Sequence, residues 1–324
     1  MKTRTLGLTG VEVSEIGFGT WAIGGEAAGT LGYGPADDEE SLAALSEARA
    51  LGCTFFDTSS LYGWGHAEEL LGRAFGNCRQ EVVLATKAGY VTPDGRQDFS
   101  ADAIRRSVEG SLGRLRTEYL DVLLLHNPPP EALEAGEALF GVLEGMRADG
   151  TIRACGVSAR SPDEALLIAS RFGPDVLQVN FNLGDLRALR NGLLGRCRDQ
   201  GIGVIVRTPL AAGFLAGSGG PSEVETFAAS DHRRRFGSEA RARWRDAVRL
   251  LAPVFDDEPD ATPAQNALRF CLSFDTVSTV IPGMMRASDV REDLATSPLP
   301  CLDPERLRAV EAIYDRVFGE GSHV

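Results

Sequence analysis

The stretch CTFFDTSSLYGWGHAEELLG, residues 53–72, joins a short apolar run to a helix through a polar turn. The run CTFFD is typical of a buried strand and ends at Asp57. The segment that begins at His66 has the spacing of an amphipathic helix. Tyr62 lies between them, five residues after the acid. A strand followed by a helix is a βα unit, and the polar turn at its end is where such units place reactive groups.

The same alternation of a short β-rich run and a longer amphipathic segment continues along most of the chain. Eight runs are predicted to be strands, namely EIGFG, CTFFD, VVLATK, LDVLLLH, IRACGVS, VLQVN, GVIVR and TVSTVI. Predicted helices cover residues 37–51, 66–75, 100–117, 131–149, 161–172, 185–200 and 262–273. Strands that are apolar throughout, each followed by a helix, suit a parallel sheet covered by helices. Eight such units predict an α/β fold of the (β/α)8 TIM barrel type.

Two further segments lie outside this repeat. TRTLGLTGVEVSEIG, near the N-terminus, predicts a small β-hairpin in a position to close the bottom of the barrel. Residues 209–260 extend the connection after the seventh strand well beyond the usual few residues. Long loops at the C-terminal face of a barrel usually serve the active site. We expect the whole chain, residues 1–324, to form a single barrel domain.

A doubly wound Rossmann sheet is the competing fold. Gly17, Gly19 and Ala22 match the G-x-G-x-x-G/A fingerprint of that fold. The fingerprint requires a helix to begin there, and the following AIGGEAAGTLGYGP is too rich in glycine for a helix. A P-loop of the form G-x-x-x-x-G-K-[ST] does not occur in the sequence either. The barrel is therefore the preferred fold.

The composition argues against several classes of partner. The 324 residues are 43% hydrophobic and carry a formal net charge of −13, with a pI near 4.9. Such an acidic chain repels nucleic acid and anionic membranes, and the basic cluster HRRRF at 232–236 is interpreted as a solvated loop. No window approaches the roughly 20 apolar residues of a membrane span, and the N-terminus has no apolar signal core. We therefore expect a cytoplasmic protein.

The six cysteines are spread along the chain without a CxxC pair or a Cys/His cluster. No metal site is predicted on this spacing. Most of the cysteines have apolar neighbours, as in IRACGV, which is typical of buried, reduced thiols in a reducing compartment.

Four reactive side chains lie at or just after consecutive predicted strand ends: Asp57, Tyr62, Lys87 and His126. Each one alone has an ordinary interpretation, such as a turn residue, a rim aromatic, a snorkelling amine or a strand-end imidazole. A barrel, however, delivers the ends of all its strands to one rim. The set of four suits proton donation to a carbonyl during hydride transfer.

The chemistry assigns a task to each group. A tyrosine titrates near pH ~10, so we expect the Lys87 cation to lower the pKa of Tyr62 toward neutrality. Asp57 would keep Lys87 charged and oriented. His126 would donate a hydrogen bond to the substrate oxygen and fix the position of the carbonyl.

Taken together, FFDTSSLYGWGHAEELLG, LATK, LLLH, GTIRACGVS, LQVNFN, VRTPLAAGFLAG and VIPG resemble, in order and spacing, the aldo-keto reductase family. The resemblance spans nearly the whole chain. It implies a (β/α)8 barrel that binds a nicotinamide dinucleotide without a Rossmann domain. It also implies a catalytic tetrad of Asp57, Tyr62 as general acid or base, Lys87, and His126 as the group that orients the substrate.

The resemblance also implies which residues contact the cofactor. The positions near the nicotinamide are Gly19, Thr20, Trp21, Asp57, Ser158, Gln178 and Arg207. Ser158 and Gln178 match residues that bind the carboxamide, whereas Ala159 replaces the usual Asn and Arg207 replaces a stacking aromatic. The loop that wraps the pyrophosphate would contribute Thr208, Pro209, Leu210, Gly213 and Leu215. The substrate pocket is expected to be lined by Trp21, Tyr62, Trp64, Tyr90 and His126.

IPGMMRASDVREDL, residues 281–294, resembles the adenosine-phosphate site of the family. Its expected contacts are Gly283, Met285, Arg286, Asp289 and Asp293. Arg286 can pair with a 2′-phosphate, whereas Asp289 falls where an Arg often stands and Asp293 replaces an adenine-binding Asn. Because a guanidinium gives a phosphate a directional contact, NADP(H) is expected to be preferred over NAD(H).

The leading interpretation is an NAD(P)(H)-dependent oxidoreductase that acts on a small carbonyl or alcohol substrate, such as an aldehyde, ketone or sugar. One alternative is a redox-sensing, cofactor-binding regulatory subunit with little turnover, as in relatives that serve as potassium-channel β subunits. Another is a barrel aldolase with Lys87 as a Schiff-base nucleophile. The aldolase leaves Tyr62, His126 and the cofactor-like loops unexplained.

Overall fold

The computed structural model describes residues 1–26, 32–216, 231–256 and 260–319. Its main sheet has eight parallel strands in chain order: β3 (Phe18–Gly19), β4 (Phe55–Asp57), β5 (Val83–Ala88), β6 (Leu120–His126), β7 (Ile152–Ser158), β8 (Val176–Asn180), β9 (Gly203–Arg207) and β10 (Val277–Ile281). The amide of Gly17 donates to the Val280 carbonyl at 2.8 Å, and the amide of Val280 donates to the backbone carbonyl of Glu15 at 3.0 Å. These bonds join the two ends of the sheet, so the predicted barrel is confirmed.

The predicted N-terminal hairpin is also confirmed. β1 (Thr3–Thr5) and β2 (Glu12–Ser14) are antiparallel. Leu6 and Val13 are fully buried and pack in one cluster with residues of the barrel interior, among them Phe55 and Val122. The hairpin therefore closes the N-terminal end of the barrel.

The helices cover the outside of the barrel. They are α1 (Asp38–Ala50), α2 (His66–Phe75), α3 (Ala101–Leu115), α4 (Pro130–Glu134), α5 (Gly136–Ala148), α6 (Pro162–Phe172), α7 (Arg187–Arg190), α8 (Leu193–Gln200), α9 (Ser238–Leu251), α10 (Pro263–Leu272), α11 (Ala287–Leu294) and α12 (Pro304–Val317). Ser161 and Thr262 cap α6 and α10, each before a proline. None of the described helices is long and apolar enough to cross a membrane.

Two predicted helices are interrupted. Residues 131–149 form α4 and α5, which are separated at Ala135. Residues 185–200 form α7 and α8, because Gly192 adopts a left-handed φ of 82° between them. A left-handed residue ends the hydrogen-bonding pattern of a helix, and glycine adopts it without steric cost.

The long segment after β9 is partly ordered into helices. Short 3-10 turns form at Ala211–Gly213 and His232–Arg235, and α9 follows. The amide of His232 donates to the Gly32 carbonyl at 3.0 Å, so this segment packs on the loop that follows β3. Residues 217–230 and 257–259 of the predicted loop lie outside the described residues.

Candidate active site

The alternation of side chains along the barrel strands brings polar groups to the rim. Phe55, Ala85, Leu124, Val176 and Ile205 face the barrel interior. Two residues further along each strand stand Asp57, Lys87, His126, Gln178 and Arg207. Because side chains two apart in a strand share a face, these five polar groups belong to the interior face at its carboxyl end.

Lys87 is the centre of the buried polar group. Its Nζ donates to Asp57 Oδ1 at 2.6 Å, to the Thr58 carbonyl at 2.8 Å and to the Tyr62 hydroxyl at 3.1 Å. Burial of Nζ disfavours its charge, but Asp57 and Tyr62 outweigh burial, and the pKa of Lys87 is raised. The amine is therefore a fixed cation between an acid and a phenol.

The Tyr62 hydroxyl is partly shielded from water. Burial raises the pKa of the Tyr62 hydroxyl, and the cations of Lys87 and Arg207 offset only part of that rise. Lys87 thus acts in the expected direction, but the expected net fall in the pKa of Tyr62 is wrong, because removing the phenolate from water costs more than the nearby cation returns. The phenol is protonated at neutral pH.

A tight turn after β4 sets the position of Tyr62. Gly63 has a φ of 58° and Trp64 a φ of 52°, both left-handed. A side chain on Gly63 would overlap the Gly24 carbonyl oxygen, so the turn requires glycine for its backbone angle and for the close approach. Gly65 then precedes the first residue of α2.

His126 lies against two tyrosine rings. Its ring centroid is 6.1 Å from that of Tyr62 and 4.8 Å from that of Tyr90. Nδ1 is 3.0 Å from the Ser59 hydroxyl. Burial, assisted by the cations of Lys87 and Arg207, holds the pKa of His126 well below its usual range. His126 is therefore a neutral imidazole.

Gln178 connects the buried acid to β7. Its Nε2 donates to Asp57 Oδ2 at 2.7 Å, and its Oε1 accepts from the Ser158 hydroxyl at 2.9 Å. Both side chains are buried. This connection fixes the orientation of the one amide side chain that the resemblance assigns to the nicotinamide end.

Arg207 reaches across the rim from β9 toward β7. Its guanidinium donates to the Ala159 carbonyl at 2.8 Å, while its buried Nε has no partner among the described residues. Ala159, itself buried, carries no polar side chain there. The cation therefore takes up a contact at the position from which the usual Asn is missing.

A groove extends from Tyr62 to the start of α11. The predicted site residues that line it are Gly19, Thr20, Trp21, Asp57, Tyr62, Gln178, Arg207, Thr208, Pro209, Leu210, Gly213, Gly283, Met285, Asp289 and Asp293. Three predicted cofactor contacts do not line it. Ser158 lies behind Gln178, Leu215 is buried in the core, and Arg286 pairs with Glu40 on α1.

The residues predicted for the substrate pocket divide into two groups. Trp21 lies in the groove, with its ring 6.3 Å from that of Tyr62. Trp64 and Tyr90 line a separate recess, and Trp64 is 37% exposed. His126 lines neither the groove nor this recess, but its ring packs against Tyr62, which lines the groove, and against Tyr90, which lines the recess.

Several residues at the site were not predicted. Tyr33 and His232 pack on Trp21 with ring centroids at 5.3 and 4.5 Å, and Arg233 lines the groove. Phe236 packs on Phe214 with ring centroids at 5.2 Å. The interpretation of HRRRF as a solvated loop is therefore wrong for His232, Arg233 and Phe236, whereas Arg234 and Arg235 are exposed. Ser59 also lies at the rim, with its hydroxyl 3.0 Å from His126 Nδ1. Its position two residues after the strand-end Asp57 was the signal in the sequence that could have found it.

Within the four described ranges, no group of three or more His, Cys, Asp or Glu side chains is arranged to hold a metal ion.

A closed parallel barrel with reactive side chains at the carboxyl ends of its strands is the architecture of a (β/α)8-barrel enzyme. The model of the Aldo/keto reductase family matches residues 15–315, and the chain belongs to this family of NAD(P)(H)-dependent oxidoreductases.

Individual relatives cover most of the chain. L-galactose dehydrogenase of Arabidopsis thaliana is 30% identical over 98% of this chain and 95% of its own length. The NADH-specific methylglyoxal reductase of Escherichia coli is 34% identical over 67% of this chain and 70% of its own length. The solved structure of a glycerol dehydrogenase from Gluconobacter oxydans is 26% identical and superimposes with a TM-score of 0.80, covering 98% of this chain and 96% of that one.

Proposed function

We propose that this protein moves a hydride between a nicotinamide dinucleotide and a small carbonyl or alcohol compound, with Tyr62 as general acid or base. The observation that carries the proposal is the position of Lys87 Nζ, 2.6 Å from Asp57 and 3.1 Å from the Tyr62 hydroxyl. A cation held beside a phenol stabilises the phenolate that proton donation leaves behind.

The residues of the groove suit a dinucleotide. Polar side chains gather beside Tyr62, residues 208–210, 212 and 213 form one wall, and the start of α11 lies at the far end. A bound nicotinamide would supply or accept the hydride. Ser158 would act by orienting Gln178, since it does not line the groove itself.

The chain's own residues account for the proton. In the direction of reduction, Tyr62 donates its proton to the carbonyl oxygen of the substrate. Lys87 stays protonated and stabilises the charge that forms on the tyrosine oxygen, while Asp57 holds the amine in place. Neutral His126 donates a hydrogen bond to the same substrate oxygen. Alcohol oxidation is the reverse of these steps.

The raised pKa of Lys87 argues against the aldolase alternative. A Schiff-base nucleophile must be a neutral amine, and Lys87 is a cation whose three protons are all donated to Asp57, Thr58 and Tyr62.

The relatives favour one substrate class. L-galactose, methylglyoxal and glycerol, the compounds in the names of the three relatives, each carry oxygen atoms on adjacent carbons. We propose a small substrate of this kind, namely an aldose, a short polyol or a 1,2-dicarbonyl.

The test is a panel of aldoses, polyols, dicarbonyls and simple aldehydes, assayed with both dinucleotides by absorbance at 340 nm. Turnover of oxygen-rich substrates in preference to simple aldehydes is expected. Tight dinucleotide binding without turnover of any compound would instead favour the redox-sensing regulatory subunit.

A further inference from the structure

The end of the groove farthest from Tyr62 is acidic. We propose that Asp289 at this end makes the protein selective for NADH over NADPH, an inference that rests on the proposed function. With its nicotinamide beside Tyr62, an extended dinucleotide in this groove would have its adenosine ribose at the start of α11, the segment that the resemblance assigns to the adenosine phosphate. NADPH differs from NADH only in a phosphate on that ribose.

The backbone amides that a phosphate would use are already taken. The N–H groups of Met285 and Arg286 both donate to Asp289 Oδ2, each at 3.1 Å. Free amides at a helix N-terminus are a general site for phosphate. Here a carboxylate of the same helix satisfies them, so a phosphate would have to displace Asp289 and then face its charge.

The cation expected to hold the phosphate points elsewhere. The Arg286 side chain is 66% exposed, and its Nε lies 3.2 Å from Glu40 Oε1 on α1. Arg286 does not line the groove, whereas Met285 and Asp289 on either side of it do. The geometry therefore does not support the NADPH preference expected from the sequence.

Two further acids of α11 line the same end, and their roles differ. Asp293 is 4% exposed, and burial, with Glu292 and Asp289 nearby, raises its pKa well above the usual range. A protonated carboxyl both donates and accepts, as the replaced amide would. Glu292 is exposed and can accept a hydrogen bond from a ribose hydroxyl.

Besides Arg207 beside Tyr62, the cation of Arg233 also lines the groove. The guanidinium of Arg233 pairs with Asp231, with Nε–Oδ1 at 3.0 Å and Nη2–Oδ2 at 2.6 Å. It also stands 5.4 Å from the centre of the Tyr33 ring. Because Asp231 already offsets its charge, we expect Arg233 to contribute equally to the binding of the two dinucleotides.

The test is direct binding to the purified protein, measured by calorimetric titration with NADH and with NADPH in the absence of substrate. Because like charges placed together disfavour binding, NADPH is expected to bind roughly 100-fold more weakly than NADH. The ratio of the two dissociation constants is measured on the natural chain. Equal or tighter binding of NADPH would overturn the inference. Failure of both dinucleotides to bind would instead refute the proposed function.

Three variants locate the effect. Asp289→Asn should tighten NADPH binding at least about 10-fold and change NADH binding less than about threefold, because it removes one opposing charge. Glu109→Gln, a control that removes the same charge from an exposed side chain on α3, should leave the ratio unchanged. Arg233→Gln should weaken both dinucleotides alike. Loss of NADPH binding alone in Arg233→Gln, or an unchanged ratio in a folded Asp289→Asn, would overturn the assignment.

Discussion

The hydroxyl of Ser59 lies 3.0 Å from Nδ1 of His126, with both side chains buried. Ser59 Oγ also accepts the amide proton of Leu61 at 3.1 Å. No other acceptor for the hydroxyl proton is found in the part of the chain that the structure describes, so that proton is donated to Nδ1. The imidazole then carries its own proton on Nε2, which is the form that can donate to a substrate oxygen.

Ser59→Ala removes the hydrogen bond that keeps the imidazole proton of His126 on Nε2. We expect kcat to fall roughly 10-fold, the equivalent of one hydrogen bond, while the Kd of the dinucleotide is unchanged. Ser59→Thr keeps a hydroxyl and should restore most of the rate. Steady-state kinetics with calorimetric Kd values measure both effects, and Ser60→Ala is the control for a neighbouring hydroxyl. Full activity of Ser59→Ala would show that the tautomer is fixed in another way.

The pKa shifts predict the pH profile of carbonyl reduction. The charged groups that act on Tyr62 are Lys87, Asp57 and Arg207, and those that act on His126 are Lys87 and Arg207, with the Tyr90 ring packed against the imidazole. The pKa of His126 is well below 6.5, so the imidazole is neutral above that pH, and the pKa of Tyr62 is above 10, so the phenol stays protonated below it. We expect kcat/KM for reduction to be constant from about pH 6.5 to 9. A titration with an apparent pKa near 7 would contradict this assignment of protonation states.

Much of the site follows from strand periodicity. The sequence places Asp57, Lys87 and His126 at the ends of apolar runs, and a barrel brings such ends to one rim whatever the loops do. Tyr62 was predictable because the segment between Asp57 and the helix that begins at His66 is too short for Tyr62 to lie far from the rim. These residues required only correct strand boundaries.

The end of the groove at the start of α11 could not be predicted from strand periodicity. Whether Arg286 faces the groove or Glu40 depends on the packing of α11 against α1, which sequence spacing does not specify. Tyr33 and His232 meet through two loops that are nearly 200 residues apart in the chain. The raised pKa of Tyr62 likewise could not be predicted, because it depends on how far the folded rim shields the hydroxyl from water.

The requirement for glycine in the turn before Trp64 can be tested by measuring the stability of substituted proteins. Gly63→Ala combines a left-handed backbone angle with a clash against the Gly24 carbonyl. Gly150→Ala, at a φ of 83° in open space, has the backbone cost alone, roughly 1–2 kcal/mol. We expect Gly63→Ala to lower the free energy of unfolding, measured in urea, by roughly 1–3 kcal/mol more than Gly150→Ala does, and to lower kcat as well. Equal losses in the two variants would mean that the turn yields to the added methyl group.

The central claim is that Tyr62 transfers the substrate proton, and Tyr62→Phe tests it most directly. The measurement is the single-turnover rate of 340 nm absorbance change, which isolates the chemical step from product release. We predict a fall of roughly 10²- to 10⁴-fold, with the dinucleotide Kd within about twofold of the natural protein. A Phe variant that keeps more than about half of the single-turnover rate would contradict the account.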